Sequence, residues 1–270
     1  MRKFARTLLL GAGLCAAAVA PALAAEDSVP PLKDGNWSFE GVFGRYDRAQ
    51  LRRGFEVYQG VCSACHGLRL LYYRNLAEIG IGPNQIKAIA AQKTKKVVND
   101  DGDVVDKPRG PTDKFAEPFP NEQAAKAANN GALPPDLSLI VKARKGGARY
   151  VYSLLTDFVS NAECAKRFKN FGGNPLKPAP GQYCNVYFPG HVLAMPPPLT
   201  TDGQVQYSAK NAPKATVDQM AKDVAAFLTW AAEPKMEERK RLGIKVVLFL
   251  LLFTALMYGI YRKVWSDVKH

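Results

Sequence analysis

The chain has 270 residues with 37 Lys and Arg against 24 Asp and Glu, a formal net charge of +13. Three of those cations lie in the first six residues, so a chain shorn of its leader carries +10, without any long Lys/Arg block. A mildly basic chain destined for the outside of a cell has no nucleic acid to meet; its cations suit anionic headgroups and protein partners instead.

Residues 1–24 read as an export signal: Arg2, Lys3 and Arg6, an apolar stretch over 8–19, then Ala22-Leu23-Ala24 as a small-residue cleavage site. The mature chain is expected to begin at Ala25, in an oxidising compartment. A first helix is traced back to Asp47 as its N-cap, with Leu51, Phe55, Tyr58 and Cys62 on one apolar face. It leads into Cys62-Ser63-Ala64-Cys65-His66. Two cysteines two residues apart, followed at once by histidine, form a c-type haem attachment site. On one helical turn both sulfurs reach the vinyl groups of one porphyrin while the adjacent imidazole faces the iron. A zinc site would need a second ligand pair, and a thioredoxin-like redox pair would need a βαβ pattern that the flanks do not offer.

Two loop-rich insertions are expected, over about 83–126 and 159–190. In the first, Asn99-Asp100-Asp101-Gly102-Asp103 superficially resembles a calcium loop. Its glycine is misplaced for an EF-hand and no glutamate closes it, so a solvated hairpin turn between Val97-Val98 and Val104-Val105 is the better reading. A helix is predicted over 136–145, closed by Gly146-Gly147, and another over 150–158. Strand signals are otherwise sparse. With Cys15 lost in the signal and Cys62 and Cys65 bonded to haem, Cys164 and Cys184 remain. An even remainder in an oxidising compartment favours a disulfide between them, with two free buried thiols as the alternative.

The second axial ligand comes from a short field. Met220 falls on the apolar face of a helix predicted over Val217–Ala232, Met236 lies in a charged linker, and Met257 lies in the apolar tail. Met195 remains, in His191-Val192-Leu193-Ala194-Met195-Pro196-Pro197-Pro198-Leu199, where three prolines hold an extended loop. His191 is its competitor, and would give a lower reduction potential than a methionine sulfur. An iron closed on both faces favours electron transfer over catalysis. After a linker over 237–242, residues 243–261 form an apolar stretch of 19 residues, about 28 Å of helix, long enough to cross a membrane. The signal places the haem domain, 25–236, in the periplasm and residues 262–270 in the cytoplasm.

Taken together, these blocks resemble the cytochrome c1 family. The resemblance rests on Trp37-Ser38-Phe39, Gly44-Arg45-Tyr46-Asp47, Arg53-Gly54 and Val57-Tyr58 ahead of the haem motif. It continues through Tyr73-Arg74-Asn75-Leu76, Asn129-Asn130-Gly131-Ala132-Leu133-Pro134-Pro135-Asp136-Leu137-Ser138 and Met195-Pro196-Pro197-Pro198-Leu199. It implies a mainly α, haem-wrapping c-type domain with a single C-terminal transmembrane helix in a bacterial inner membrane. One covalent haem c would be held by Cys62 and Cys65, with His66 and Met195 on the iron and Asn129, Arg144 and Tyr150 near the propionates. The chain itself would be a redox subunit rather than an enzyme. Its partners would be cytochrome b, a Rieske iron–sulfur protein as donor and a soluble c-type cytochrome as acceptor, in a dimeric quinol:cytochrome c oxidoreductase. A free-standing, membrane-tethered c-type shuttle is the alternative function. One departure stands out: mitochondrial relatives present acidic surfaces to a basic acceptor, whereas this head is net basic, with 100–106 as its acidic stretch.

Overall fold

The structure is a computed structural model that describes residues 29–170 and 172–268. The expected export signal over 1–24 lies outside the described residues, and the chain from residue 31 onward forms one compact unit.

Helix α1, Arg48–Gly60, starts where Asp47 accepts hydrogen bonds from the Ala49 and Gln50 amides at 2.8 and 3.3 Å, satisfying donors that the first turn leaves open. A 3-10 turn, Cys62–Ala64, and a longer one, Tyr73–Ile79, follow. Then come α2 (Pro83–Ala91), strands β1 (Thr94–Val98) and β2 (Val104–Pro108), α3 (Glu122–Ala128), α4 (Ile140–Ala143) and α5 (Ala148–Thr156). Strand β3 (Phe158–Val159), α6 (Asn161–Arg167), β4 (Tyr183–Asn185) and β5 (Val192–Leu193) lead to α7 (Val217–Ala232) and α8 (Met236–Val264).

The core forms where α1 crosses α7. Gly54 lies against the α7 backbone, and that close approach lets Phe55 and Tyr58 stack toward Phe227, at 5.6 and 5.8 Å between ring centroids. Leu51, Val57, Met220, Val224 and Trp230 complete the buried layer. Each such side chain contributes about 1.5–3 kcal/mol through burial. The crossing also holds a charge: Asp223, fully buried on α7, receives Arg53 at 2.8 and 3.1 Å, Gln50 at 3.0 Å and Gln219 at 2.8 Å. The chain before α1 closes one flank, with Trp37 donating from its indole to the Lys222 carbonyl at 3.1 Å and meeting Tyr152 of α5 edge-on.

Two small antiparallel sheets hold the insertions. Strands β1 and β2 pair from Thr94↔Pro108 to Val98↔Val104. The Asn99 side chain closes the turn by accepting from the Asp101 and Asp103 amides at 3.1 and 2.7 Å. That is the expected solvated hairpin. The second sheet runs β3-β4-β5 and carries Cys184, bonded to Cys164 of α6.

Three expectations need correction. Only Ile140–Ala143 of the predicted 136–145 helix is helical. The stretch before it is drawn out because its polar groups bond residues 67–70: Leu137 N to Gly67 O at 2.9 Å, Arg69 N to Asp136 at 2.9 Å, and Leu70 N to the Ser138 hydroxyl at 3.2 Å. The helix predicted over 150–158 runs Ala148–Thr156 instead, because Phe158 pairs with Asn185 in the sheet. Met236, assigned to a charged linker, is buried in the head.

Residues 237–242 are helical and continuous with the apolar stretch. Helix α8 has a mean hydropathy of 2.2 over its most apolar stretch, none of it buried, and is long and apolar enough to cross a membrane.

Candidate functional site

Helix α1 delivers the haem motif to its own C-terminal end. Val61 closes the helix, and the chain then tightens: the Cys65 and His66 amides both donate to the Cys62 carbonyl, at 3.1 and 2.9 Å. Cys62 and His66 are thus separated by one turn of backbone. Tyr58, on the buried face of α1, donates its hydroxyl to the His66 carbonyl at 2.9 Å and pins the end of that turn. Burial raises the Tyr58 phenol far above its ordinary range, with the neighbouring Cys62, Asp136 and Glu117 adding to the rise, so it remains a donor.

The His66 ring is oriented from the far side by a backbone carbonyl. Its Nδ1 lies 2.7 Å from Pro135 O. A carbonyl only accepts, so Nδ1 carries the proton and Nε2 keeps its lone pair free for a metal. Burial pushes the imidazole pKa down, against the opposing pull of the Pro135 carbonyl and Asp136, which favours the neutral ring a metal needs. The Pro135 carbonyl is held in turn by its neighbours, since Asp136 accepts from the Arg69 and Ser138 amides, both at 2.9 Å.

Both motif cysteines are free and half-buried, whereas Cys164 and Cys184 are joined, with Cα atoms 6.0 Å apart. Burial raises the Cys62 thiol to about 12. Two free sulfurs and an oriented, neutral imidazole within five residues are the donor set that a covalently held haem requires, so the residues fit that group. Among the described residues no cluster of three or more His, Cys, Asp or Glu side chains converges on a point.

The remaining residues singled out by sequence fall in several places. Met195 is half-buried two residues past β5, between buried Leu193 and buried Leu199. Its loop is fixed where Gln204 donates to Pro198 O at 2.8 Å and accepts from the Thr200 amide at 2.9 Å. His191, its competitor, is only 4% exposed. Its ring stacks on Phe168 at 3.7 Å between centroids, with Nδ1 3.3 Å from Asn185 O. That ring is committed to packing. Asn129 caps α3 and gives its side-chain amide to Ala125 O at 2.7 Å. Arg144 is exposed and lies beside buried Tyr150, where burial raises the phenol and the guanidinium opposes the rise.

Sequence reasoning missed the two groups that orient His66. The Pro135 carbonyl belongs to a residue with no functional side chain. Tyr58 shows in the sequence only as part of an apolar helix face, and its position eight residues before the histidine is the one hint of a further role.

Known proteins resemble this chain along nearly its whole length. The sequence model of the Cytochrome C1 family matches residues 37–268. Among similar proteins, cytochrome c1 of Rhodospirillum rubrum is 45% identical over 276 residues, covering the whole of both chains. Cytochrome b/c1 of Bradyrhizobium diazoefficiens is 47% identical over 244 residues, which span 86% of this chain and 35% of that protein. The mitochondrial cytochrome c1-2 haem protein of Solanum tuberosum is 43% identical, over 86% of this chain and 85% of its own length. The chain belongs to the cytochrome c1 family, whose members carry haem and serve as membrane-anchored electron-transfer subunits of the cytochrome bc1 complex.

Proposed function

We propose that the chain carries one haem c, bonded through Cys62 and Cys65, on the periplasmic side of a bacterial inner membrane. It takes an electron from a Rieske iron–sulfur protein and gives it to a soluble c-type cytochrome. The observation that carries this reading is the His66–Pro135 contact, which leaves one ring nitrogen free on a residue adjacent to two free thiols. When bound, the haem supplies a one-electron ferric/ferrous couple.

The chain's own residues do the rest. Cys62 and Cys65 would anchor the porphyrin, and His66, aimed by Pro135 and Tyr58, would supply an imidazole nitrogen to the iron. Met195 would supply a thioether sulfur, which would raise the potential relative to a second imidazole, and its prolines stiffen the loop that presents it. His191 is otherwise engaged. Arg144, with Tyr150 and Asn129, answers the propionates, its guanidinium making charge-assisted hydrogen bonds.

Helix α8 anchors residues 25–236 outside through a span at 243–261, with 262–270 inside. Within a dimeric complex its neighbour is cytochrome b, and for that neighbour the relative named cytochrome b/c1 is the support. The join between head and helix supports a fixed subunit over a tethered shuttle. Glu237 accepts from the Tyr46 amide at 2.8 Å and from Arg48 at 3.1 and 3.0 Å, so no flexible linker separates the two parts.

A redox-titrated optical spectrum with pyridine haemochrome analysis tests the reading. One covalent haem of high potential per chain is expected, purifying with a cytochrome b and an iron–sulfur protein. Pigment extracted by acid acetone, or a haem protein that purifies alone, would overturn it.

A further inference from the structure

Among the described residues of the head, Phe43 is the most exposed large apolar side chain, at 81%, and Val42 beside it is 65% exposed. Water is a poor environment for both, yet their loop is held firmly in place. The Lys240 ammonium, in the second turn of α8, donates to the carbonyls of Phe39 and Gly41 at 2.7 Å each and of Gly44 at 3.3 Å. Three donors meet three acceptors, so the ammonium is fully committed. The loop over 41–45 is thereby lashed alongside the helix immediately before its apolar stretch begins at Gly243. Between loop and helix lies a cleft of about 250 Å³, whose lining includes apolar Val42, Phe43 and Ile244 and charged Arg45, Glu237, Lys240 and Arg241.

The charges point to one kind of occupant. Glu237, the acid at this cleft, is neutralised by its paired bonds to Arg48 and by the Tyr46 amide. Among the described residues, neither Arg45 nor Arg241 forms an ion pair, and both are exposed. Two guanidiniums without a direct carboxylate partner (Arg45 feels Glu237 only through space) lie beside one aromatic and two aliphatic side chains, at the depth where a membrane helix enters its bilayer, and match a phosphodiester with an acyl chain below it.

We propose that this cleft binds one anionic phospholipid of the leaflet facing the head. Arg45 and Arg241 hold its phosphate, and its chain lies against Val42, Phe43 and Ile244. The loop then forms a second membrane contact beside α8, and fixes the height and tilt of the head above the bilayer. A neighbouring polypeptide is the competing occupant, disfavoured by the two unpaired cations. The inference rests on the reading that α8 spans the membrane.

Two measurements on the full-length, haem-loaded protein test it. In native mass spectrometry with phosphatidylglycerol added to the detergent-solubilised protein, one lipid is expected to bind selectively over phosphatidylcholine. R45Q with R241Q lowers that affinity by about thirty-fold at low salt. In membranes holding the assembled complex, photoactivatable phosphatidylglycerol is expected to label 41–45 as well as 243–261. Undiminished binding by the double variant overturns the site. So does labelling of 243–261 alone, as a protein covering the loop would produce. Release of the protein by alkaline carbonate overturns the membrane span itself, and the inference with it.

Discussion

Gly54 has no room for a side chain because the Asp223 carbonyl lies directly over it: a Cβ built there would stand 2.0 Å from that oxygen and 2.7 Å from Phe227 Cβ. Both obstacles belong to the α7 backbone or its first side-chain atom, so neither swings aside. Gly54→Ala must push the two helices apart. An expected loss of about 2–3 kcal/mol follows from overpacking of a close crossing. Urea unfolding of the haem-loaded protein checks it; a variant within 0.5 kcal/mol (about the spread of neutral surface changes) would refute the close approach.

The same crossing buries Asp223, whose carboxylate is answered by Arg53, Gln50 and Gln219. Removing the acid leaves the Arg53 charge, itself mostly buried, without its counterpart. Asp223→Ala is therefore expected to cost about 3–5 kcal/mol. An apolar pair, Asp223→Leu with Arg53→Met, is expected to recover much of that loss, because what hurts is the stranded charge. Thermal melts of the two variants decide the matter, and equal damage in both would show that packing rather than charge is at stake.

Much of this arrangement was legible in the sequence, for local reasons. Asp47 marks a helix start by a side chain that reaches only two or three residues ahead. Cys62, Cys65 and His66 announce their chemistry by spacing alone. Residues 136–139 escape the helix expected over 136–145 because their geometry is set by partners about seventy positions earlier, Gly67, Arg69 and Leu70, which no helical period reveals. Met236 sits in a run of charges, yet its own side chain turns into the core while Lys235 and Glu238 face water, a split that composition does not reveal. The orientation of His66 was invisible for a related reason: its partner is a main-chain oxygen.

Acid is expected to loosen α7 at both ends. Glu233 closes that helix with its carboxylate held by Arg239 and, at 3.4 Å, by Lys142; Arg239 above all keeps its pKa below the usual range. At the other end burial would raise Asp218, but the Tyr152 hydroxyl and Lys222, the latter at 3.0 Å, outweigh it and hold the carboxyl low. Both groups take up protons more readily unfolded than folded. Their stabilisation is complete above the unfolded pKa values, about 4, and fades as pH falls through the lower folded values. Urea midpoints between pH 7 and pH 3 should fall on the acid side. Glu233→Gln with Asp218→Asn should flatten that fall; an unaltered slope would assign the acid sensitivity elsewhere.

The bond between Cys164 and Cys184 closes a loop with a sequence separation of 20. Within it lie Phe168, which stacks on His191, and the loop-rich run toward β4. Cross-linking a loop of this length stabilises by about 3 kcal/mol through the unfolded chain. Cys164→Ala with Cys184→Ala should lose about that much and loosen the Phe168–His191 stack, seen as faster amide exchange over β4 and β5. Unchanged exchange there would mean that the sheet, and not the disulfide, holds the loop between Cys164 and Cys184.

Met195 offers the sharpest test of the axial assignment. Its neighbours on both sides, Leu193 and Leu199, are buried, so a leucine in its place keeps the loop's packing while removing the sulfur. Met195→Leu should therefore fold normally, open the sixth position and let the reduced protein bind carbon monoxide, with a lower potential than the parent. If the sulfur were not a ligand, the spectrum and the carbon monoxide response would both stay as they were. The assignment would then pass to His191, at a structural cost: the imidazole would have to leave its stack on Phe168 and its contact with Asn185. A His191→Gln control separates the cases, since it should disturb stability while leaving the iron six-coordinate.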